Sequence, residues 1–115
     1  MTIGHIADLE HKVVLNPLAK DAKMRVLVGP DQGWDKHVMR VFTLDVGGFT
    51  PRHQHAWLQI NYIIEGEGSL FLNGQEHPLK SGSYAVVPSN ELHQIQNTGD
   101  QAFVFICIVP IEGHY

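Results

Sequence analysis

Short apolar runs separated by turn-forming residues fill the chain from Lys23 onward, and this pattern restricts what the chain can fold into. Gly, Pro, Asn and Asp lie between the runs, which is typical of strands and not of helical periodicity. Many short strands at regular spacing predict an all-β sandwich or barrel, and we expect a single-domain jelly-roll barrel of two antiparallel sheets. The predicted strands cover residues 24–28, 37–44, 59–65, 69–72, 83–87, 93–97 and 101–109.

Turn residues define the connections between these strands. Asn73-Gly74 is the strongest signal, because both residues accept a positive φ and the pair predicts a two-residue type I′ hairpin. Val46-Gly47-Gly48 is also predicted to be a turn. The first twenty residues fit either a short helical turn or an edge strand. We divide the chain into an irregular N-terminal arm over 1–22, a barrel over 23–112 and a tail over 113–115.

Composition excludes several classes of protein. With 115 residues, 43% of them hydrophobic, the chain has room for one domain with a buried core. Eight Lys plus Arg against twelve Asp plus Glu leave a formal net charge of -4, which argues against nucleic-acid binding. No apolar run reaches the roughly 18 residues of a membrane span, and the N-terminus lacks a signal-peptide pattern. We therefore expect a cytoplasmic protein that does not bind a membrane.

Histidine is unusually frequent, with eight copies, and three of these form a candidate metal site. His53 and His55 flank one residue, so on a strand both imidazoles would lie on the same face. Gln59 follows four residues later, and His93 opens a later strand. Three imidazoles and an amide oxygen suit one divalent first-row metal ion, with Mn, Fe, Ni, Zn and Cu all compatible. Two alternatives stay open: Gln59 only packs beside a metal held by three histidines, or the site holds no metal.

The spacing of these residues resembles the two-part signature of the cupin superfamily, G(X)5HXH(X)3-4E(X)6G and G(X)5PXG(X)2H(X)3N. Eight of the ten specified positions match, and two differ, because Gln59 stands where the signature has Glu and Asn90 where it has Gly. Asn90 still tolerates a left-handed turn. The matching positions are Gly47, His53, His55, Gly66, Gly82, Pro88, His93 and Asn97.

The resemblance implies that His53, His55 and His93 hold the metal, with Gln59 in the position of the family's Glu. A Gln amide is neutral, so a divalent ion keeps its full positive charge and polarises oxygen ligands more strongly. This favours polarisation of a substrate over activation of oxygen. The stretch from His53 to Tyr62 is similar to the uronate-ketonising cupins, whereas the chain as a whole looks more like the small manganese-binding cupins.

Strand parity and the resemblance together predict the lining of the pocket. Parity places Asn61 with Gln59, Ile95 with His93, and Phe105 with Cys107 inside the barrel. The resemblance adds Arg40 reaching toward the site and Trp57 near its mouth. A buried Arg40 would suit a carboxylate. The alternatives for Arg40 are a solvated strand residue or a salt bridge to Glu91 or Asp45. The predicted pocket-lining residues are Arg40, Trp57, Asn61, Ile95, Phe105 and Cys107.

The leading functional hypothesis is an enzyme in which a divalent metal polarises a small oxygen-rich substrate, such as a sugar acid or keto acid, for isomerisation or proton transfer. A metal-dependent dioxygenase and a non-catalytic binding module are the alternatives. The sequence singles out no catalytic acid or base. Strands with apolar residues on both faces predict a homodimer. Cys107 is expected to be a buried small hydrophobe. The remaining histidines are expected at the surface: His5, His11, His37, His77 and His114.

Overall fold

The computed structural model describes residues 1–114, which form nine β-strands and three short 3-10 turns. The strands are β1 Lys12–Val13, β2 Lys20–Val28, β3 His37–Phe49, β4 Gln59–Glu65, β5 Glu67–Leu72, β6 Gln75–Lys80, β7 Tyr84–Val87, β8 His93–Asn97 and β9 Phe103–Pro110. All strand pairs are antiparallel, in the order β6-β5-β8-β3-β9-β4-β7, with β2 beside β3 and β1 beside β2. The prediction of an all-β jelly-roll barrel is confirmed.

Strand β3 lies between β8 and β9 in the sheet and pairs with both. Its first eight residues pair with β9, and its last residue, Phe49, pairs with Gln96 of β8. The predicted turn at Val46-Gly47-Gly48 does not end the strand, since β3 continues to Phe49. The segment is nevertheless irregular, because Gly47 has a φ of 81° and the pairing with β2 shifts between Ala22–Leu44 and Lys20–Phe49. A Cβ on Gly48 would lie 2.9 Å from the backbone oxygens of Lys20 and Asp21, so the glycine lets β2 approach.

The hairpin between β5 and β6 is confirmed. Leu72 pairs with Gln75, and the two residues between them, Asn73 and Gly74, have φ of 54° and 83°. Two positive φ values are the mark of a type I′ turn. Asn90 also adopts a positive φ, of 64°, as expected where the signature has glycine.

The N-terminal segment contains both of the structures that its sequence left open. A 3-10 turn covers Ile6–Asp8, and the two-residue strand β1 then pairs with β2 through Lys12 and Met24. Within residues 1–114, no helix is long and apolar enough to cross a membrane.

The core lies inside the barrel and follows the alternation of the strands. In β9, Phe103, Phe105, Cys107 and Val109 are buried, and the residues between them are partly exposed. Phe105 stacks on Phe42, with ring centroids 5.4 Å apart. The predicted inward face of the last strand is therefore confirmed, and it forms the floor beneath the histidines.

Candidate metal centre

A single backbone bridge joins the two halves of the candidate site. The amide of His53 donates to the carbonyl of His93 at 3.1 Å, and the amide of His93 donates to the carbonyl of His53 at 2.9 Å. His93 opens β8, but His53 lies in the connection between β3 and β4. His53 and His55 lie outside the regular strands, as the predicted strands 37–44 and 59–65 leave them, because Pro51 cannot donate to a ladder and the chain bends at Ala56.

The three histidine rings nevertheless converge. Their centroids are 5.2 Å apart for His53 and His55, 4.9 Å for His53 and His93, and 4.7 Å for His55 and His93. One ligand nitrogen from each ring lies within 4.8 Å of the others. This spacing lets the three nitrogens hold one metal ion between them.

Hydrogen bonds fix which ring nitrogens face the site. His55 Nδ1 lies 2.8 Å from the carbonyl oxygen of Trp57, and His93 Nδ1 lies 2.9 Å from that of Glu91. A carbonyl oxygen only accepts, so each Nδ1 carries the hydrogen and each Nε2 presents a lone pair. His93 Nε2 is buried with no hydrogen-bond partner among the described residues. A metal ion would satisfy this lone pair, so the residues present fit a metal.

Gln59, the fourth predicted ligand, lies beside the histidines at the start of β4. Its Oε1 is 3.3 Å from His55 Nε2, and its Nε2 donates to Asn61 Oδ1 at 2.9 Å. The carbonyl end of the amide therefore faces the ring nitrogens. A neutral oxygen donor is thus available next to three nitrogen donors.

Burial lowers the pKa of two of the three imidazoles. It lowers the pKa of His53 to about 4, with smaller contributions from His93 and His55, which repel a further positive charge. Burial is also the main cause that lowers the pKa of His93. Because only the neutral ring has a free lone pair, His53 and His93 are in their metal-binding form at neutral pH.

An outer cavity of about 280 Å³ opens on one side of the cluster. Arg40 and Trp57, predicted to line the pocket, both lie in its wall. Residues 112–114 close another side. The wall also includes His53, His55 and Gln59.

A smaller inner cavity of about 20 Å³ lies on the barrel side of the cluster, beside His53 and His93. Ile95, Phe105 and Cys107 line it, as the parity of their strands predicts. Asn61 lines neither cavity and is 1% exposed, packed behind Gln59. The apolar inner wall excludes bulk water from one side of the histidines.

Arg40 is buried between the two cavities. Only 2% of it is exposed, which rules out the solvated alternative. Its Nη2 donates to Cys107 Sγ at 3.2 Å, and its guanidinium lies 4.9 Å from the ring centre of Phe42. Burial raises the pKa of the Cys107 thiol, so Cys107 is a neutral, buried group, as expected.

His114 is the residue that sequence reasoning missed. It was expected at the surface, but it is half-buried in the wall of the outer cavity, and its Nδ1 has no hydrogen-bond partner in residues 1–114. Burial, and then the charge of Arg40, lower its pKa. Its only sequence signal is its place just after β9. The other four histidines, His5, His11, His37 and His77, are exposed, as expected.

Comparison with known proteins identifies relatives of this site and fold. A family model described as a cupin domain matches residues 40–109. The chain is 36% identical over 75 residues to a glucose-6-phosphate isomerase of Thermococcus onnurineus, covering 57% of this chain and 40% of that protein. It is 34% identical over 67 residues to an oxalate-binding protein of Thermotoga maritima, covering 57% of this chain and 55% of that protein. The matches thus span about half the length of these relatives.

Solved structures share this fold over nearly the whole chain. The polyketide cyclase RemF from Streptomyces resistomycificus superposes with a TM-score of 0.89 at 28% identity, covering 96% of this chain and 79% of that one. A predicted oxalate decarboxylase from Thermotoga maritima superposes with a TM-score of 0.87 at 24% identity, covering 95% and 98%, and supports the fold alone. Taken with the matched domain and the converging histidines, these likenesses show that the chain belongs to the cupin family.

Proposed function

We propose that this cupin binds one divalent first-row metal ion through His53, His55, His93 and Gln59, and acts on a small oxygen-rich substrate such as a sugar acid or keto acid. The observation that carries the proposal is the buried, unpartnered Nε2 of His93, which faces two further histidine nitrogens. A nitrogen lone pair left unsatisfied in a protein interior is costly unless something binds it.

The ligand set determines the kind of chemistry. A bound divalent ion supplies Lewis-acid polarisation of a substrate oxygen. His53, His55, His93 and Gln59 are all neutral, so they leave the charge of such an ion uncompensated. This supports isomerisation or proton transfer at a carbon next to a polarised carbonyl.

The outer cavity supplies two further groups. Arg40 lies in its wall, and a guanidinium pairs with a carboxylate through parallel hydrogen bonds, which supports an acidic substrate. His114 lies in the same wall, and burial keeps its pKa below the usual value. A neutral imidazole accepts a proton, so we assign proton transfer to His114. The charged groups that act on it are Arg40 and Lys12.

The names of the relatives support an oxygen-rich substrate. A glucose-6-phosphate isomerase, an oxalate-binding protein and a polyketide cyclase are named for ligands that carry carbonyl, hydroxyl or carboxylate oxygens. The oxalate-binding relative favours a second candidate, a binding module that holds a small carboxylate without converting it. Retention of an unchanged carboxylate by the metal-loaded protein would support that candidate.

Elemental analysis of protein purified without added metal tests the metal site. We expect about one divalent ion per chain, and its loss in His93→Ala but not in the exposed control His77→Ala. A metal-free wild type, or retention of metal by His93→Ala, would overturn the proposal. Unsaturated uronates are then added, and loss of their enol absorbance reports isomerisation. An oxygen electrode in the same assay separates this reaction from a dioxygenase.

We also propose that two copies associate through the outer apolar face, which consists of Ile60, Tyr62 and Ile64 on β4 and Tyr84 and Val86 on β7. Ile60 pairs with Val86, and Tyr62 with Tyr84, so the side chains form one continuous surface. All five are exposed, Tyr84 by 80%. A surface of this kind is typical of an interface, and a second copy provides a self-complementary partner.

A further inference from the structure

A buried polar relay runs from the backbone of β9 to the candidate ligand Gln59. Asn61 Nδ2 donates to the carbonyl oxygen of Ile106 at 3.1 Å. Asn61 Oδ1 accepts from Gln59 Nε2 at 2.9 Å. Gln59 Oε1 is then left facing His55 Nε2 at 3.3 Å.

The direction of this relay is set by its first member. The Ile106 oxygen is a carbonyl, so it can only accept, and the group of Asn61 that faces it must be the amide nitrogen. The oxygen of Asn61 therefore faces Gln59, whose amide nitrogen donates to it. Reversing either amide would bring two oxygens together in a buried place, and each such unsatisfied group costs about 1–3 kcal/mol.

The orientation decides whether Gln59 can bind a metal at all. An amide oxygen carries lone pairs and is a metal ligand, whereas the amide nitrogen has none available for one. With Gln59 reversed, its NH2 group would face the histidines and repel a cation.

Position 61 carries a polar side chain in a buried place, where it also interacts with the Cys107 thiol. Asn61 is 1% exposed and lies on the same inward face of β4 as Ile63, which is apolar and equally buried. An apolar side chain would fill this place without the cost of burying an amide. Asn61 lines neither cavity, so contact with a substrate does not explain it either.

We infer that Asn61 is a positioning residue that makes Gln59 an oxygen ligand. Its hydrogen bond to the Ile106 carbonyl fixes the direction of the Asn61 amide, which in turn fixes the direction of the Gln59 amide at the metal site. The inference rests on the proposed metal site. Groups behind a ligand commonly change metal affinity by 10–100-fold, roughly the range expected for Asn61.

A double-mutant cycle on Zn²⁺ affinity, measured by competition with a chelator, tests the inference without any enzyme assay. The variants are Asn61→Leu, which keeps the number of side-chain heavy atoms and removes both polar ends, Gln59→Ala, and the two combined. We expect Asn61→Leu to weaken Zn²⁺ binding by about 10-fold or more in the wild-type background. In the Gln59→Ala background it should change affinity less than about twofold, because Asn61 acts only through Gln59.

Ile63→Ala is the control variant. It destabilises the same face of β4 without touching the relay, and the affinity of its folded form should equal that of wild type. Equal losses from Asn61→Leu in both backgrounds, or no loss in either, would overturn the inference. If His93→Ala releases Zn²⁺ and Gln59→Ala does not, the three-histidine site stands and the role of Asn61 falls. If wild type binds no Zn²⁺, the proposed metal site itself fails.

Discussion

Gly113 lies directly against the indole of Trp57, so that a Cβ on Gly113 would come 2.5 Å from Trp57 Nε1. Gly113 is thereby held at the outer cavity, and the next residue, His114, lies in the wall of the same cavity. Only a residue without a side chain allows this approach.

Gly113→Ala should therefore push the tail away from Trp57. We expect the emission of Trp57, recorded in a Trp34→Phe background, to shift to the red as its indole becomes exposed. The unfolding free energy should fall by about 1–3 kcal/mol, the usual cost of overpacking. Gly4→Ala is the control, since nothing lies within 4 Å of a Cβ there. Unchanged emission in Gly113→Ala would contradict the packing of the tail.

The stability of the metal-free protein should depend on acid through His53. Burial lowers the pKa of His53 from 6.5 to about 4. Between pH 6.5 and 4, His53 is therefore protonated in the unfolded chain and neutral in the folded chain. The free energy of unfolding should be level above pH 7 and decrease as the pH falls from 6.5 toward 4. Urea denaturation at a series of pH values measures this. His53→Gln removes the titrating group, and a slope as steep as that of wild type in this variant would assign the effect to other residues.

Substitutions in the core of the barrel should lower the unfolding free energy far more than substitutions nearer its surface. Phe103 is fully buried and packs on Phe105 with centroids 5.6 Å apart. Phe103→Ala should reduce the unfolding free energy by about 3–5 kcal/mol. Phe71→Ala, which removes a half-buried ring beneath Arg52, should cost clearly less. Denaturant unfolding of both variants makes the comparison, and similar losses would place the core elsewhere.

The outer apolar face should control association. Tyr62→Lys and Tyr84→Lys place charges opposite each other on paired strands, where a second copy would desolvate them. We expect the double variant to elute as a monomer under conditions in which wild type elutes as a dimer. Light scattering after gel filtration reports the mass. Val46→Lys, at an exposed residue on β3, is the matched control and should leave the mass unchanged. A dimer in the Tyr62→Lys, Tyr84→Lys variant would exclude this face.

Much of the fold could be predicted from local signals. Alternation and turn residues located most of the strands, because these features depend on neighbouring residues along the chain and a sequence shows them directly. His93 is distant in sequence from His53 and His55, and the resemblance to the cupin signature grouped it with them. The structure brings one ring nitrogen of each within 4.8 Å of the others.

Features that depend on packing could not be predicted in this way. Gly47-Gly48 is predicted to end a strand, whereas β3 continues through these residues with an irregular pairing to β2, and this pairing depends on the packing of the two strands. His114 follows no motif, and its place in the cavity depends on the fit of Gly113 to Trp57. The direction of the Gln59 amide depends on the Ile106 carbonyl, which lies on another strand.

The backbone bridge between His53 and His93 bears on the order of folding and metal binding. The two residues are distant in sequence and become neighbours only when β8 has taken its place in the sheet. A nascent chain brings together His53 and His55 alone, and the complete set of proposed ligands exists only in the finished barrel. A metal ion held by the whole set would therefore bind to the folded protein and not to the growing chain.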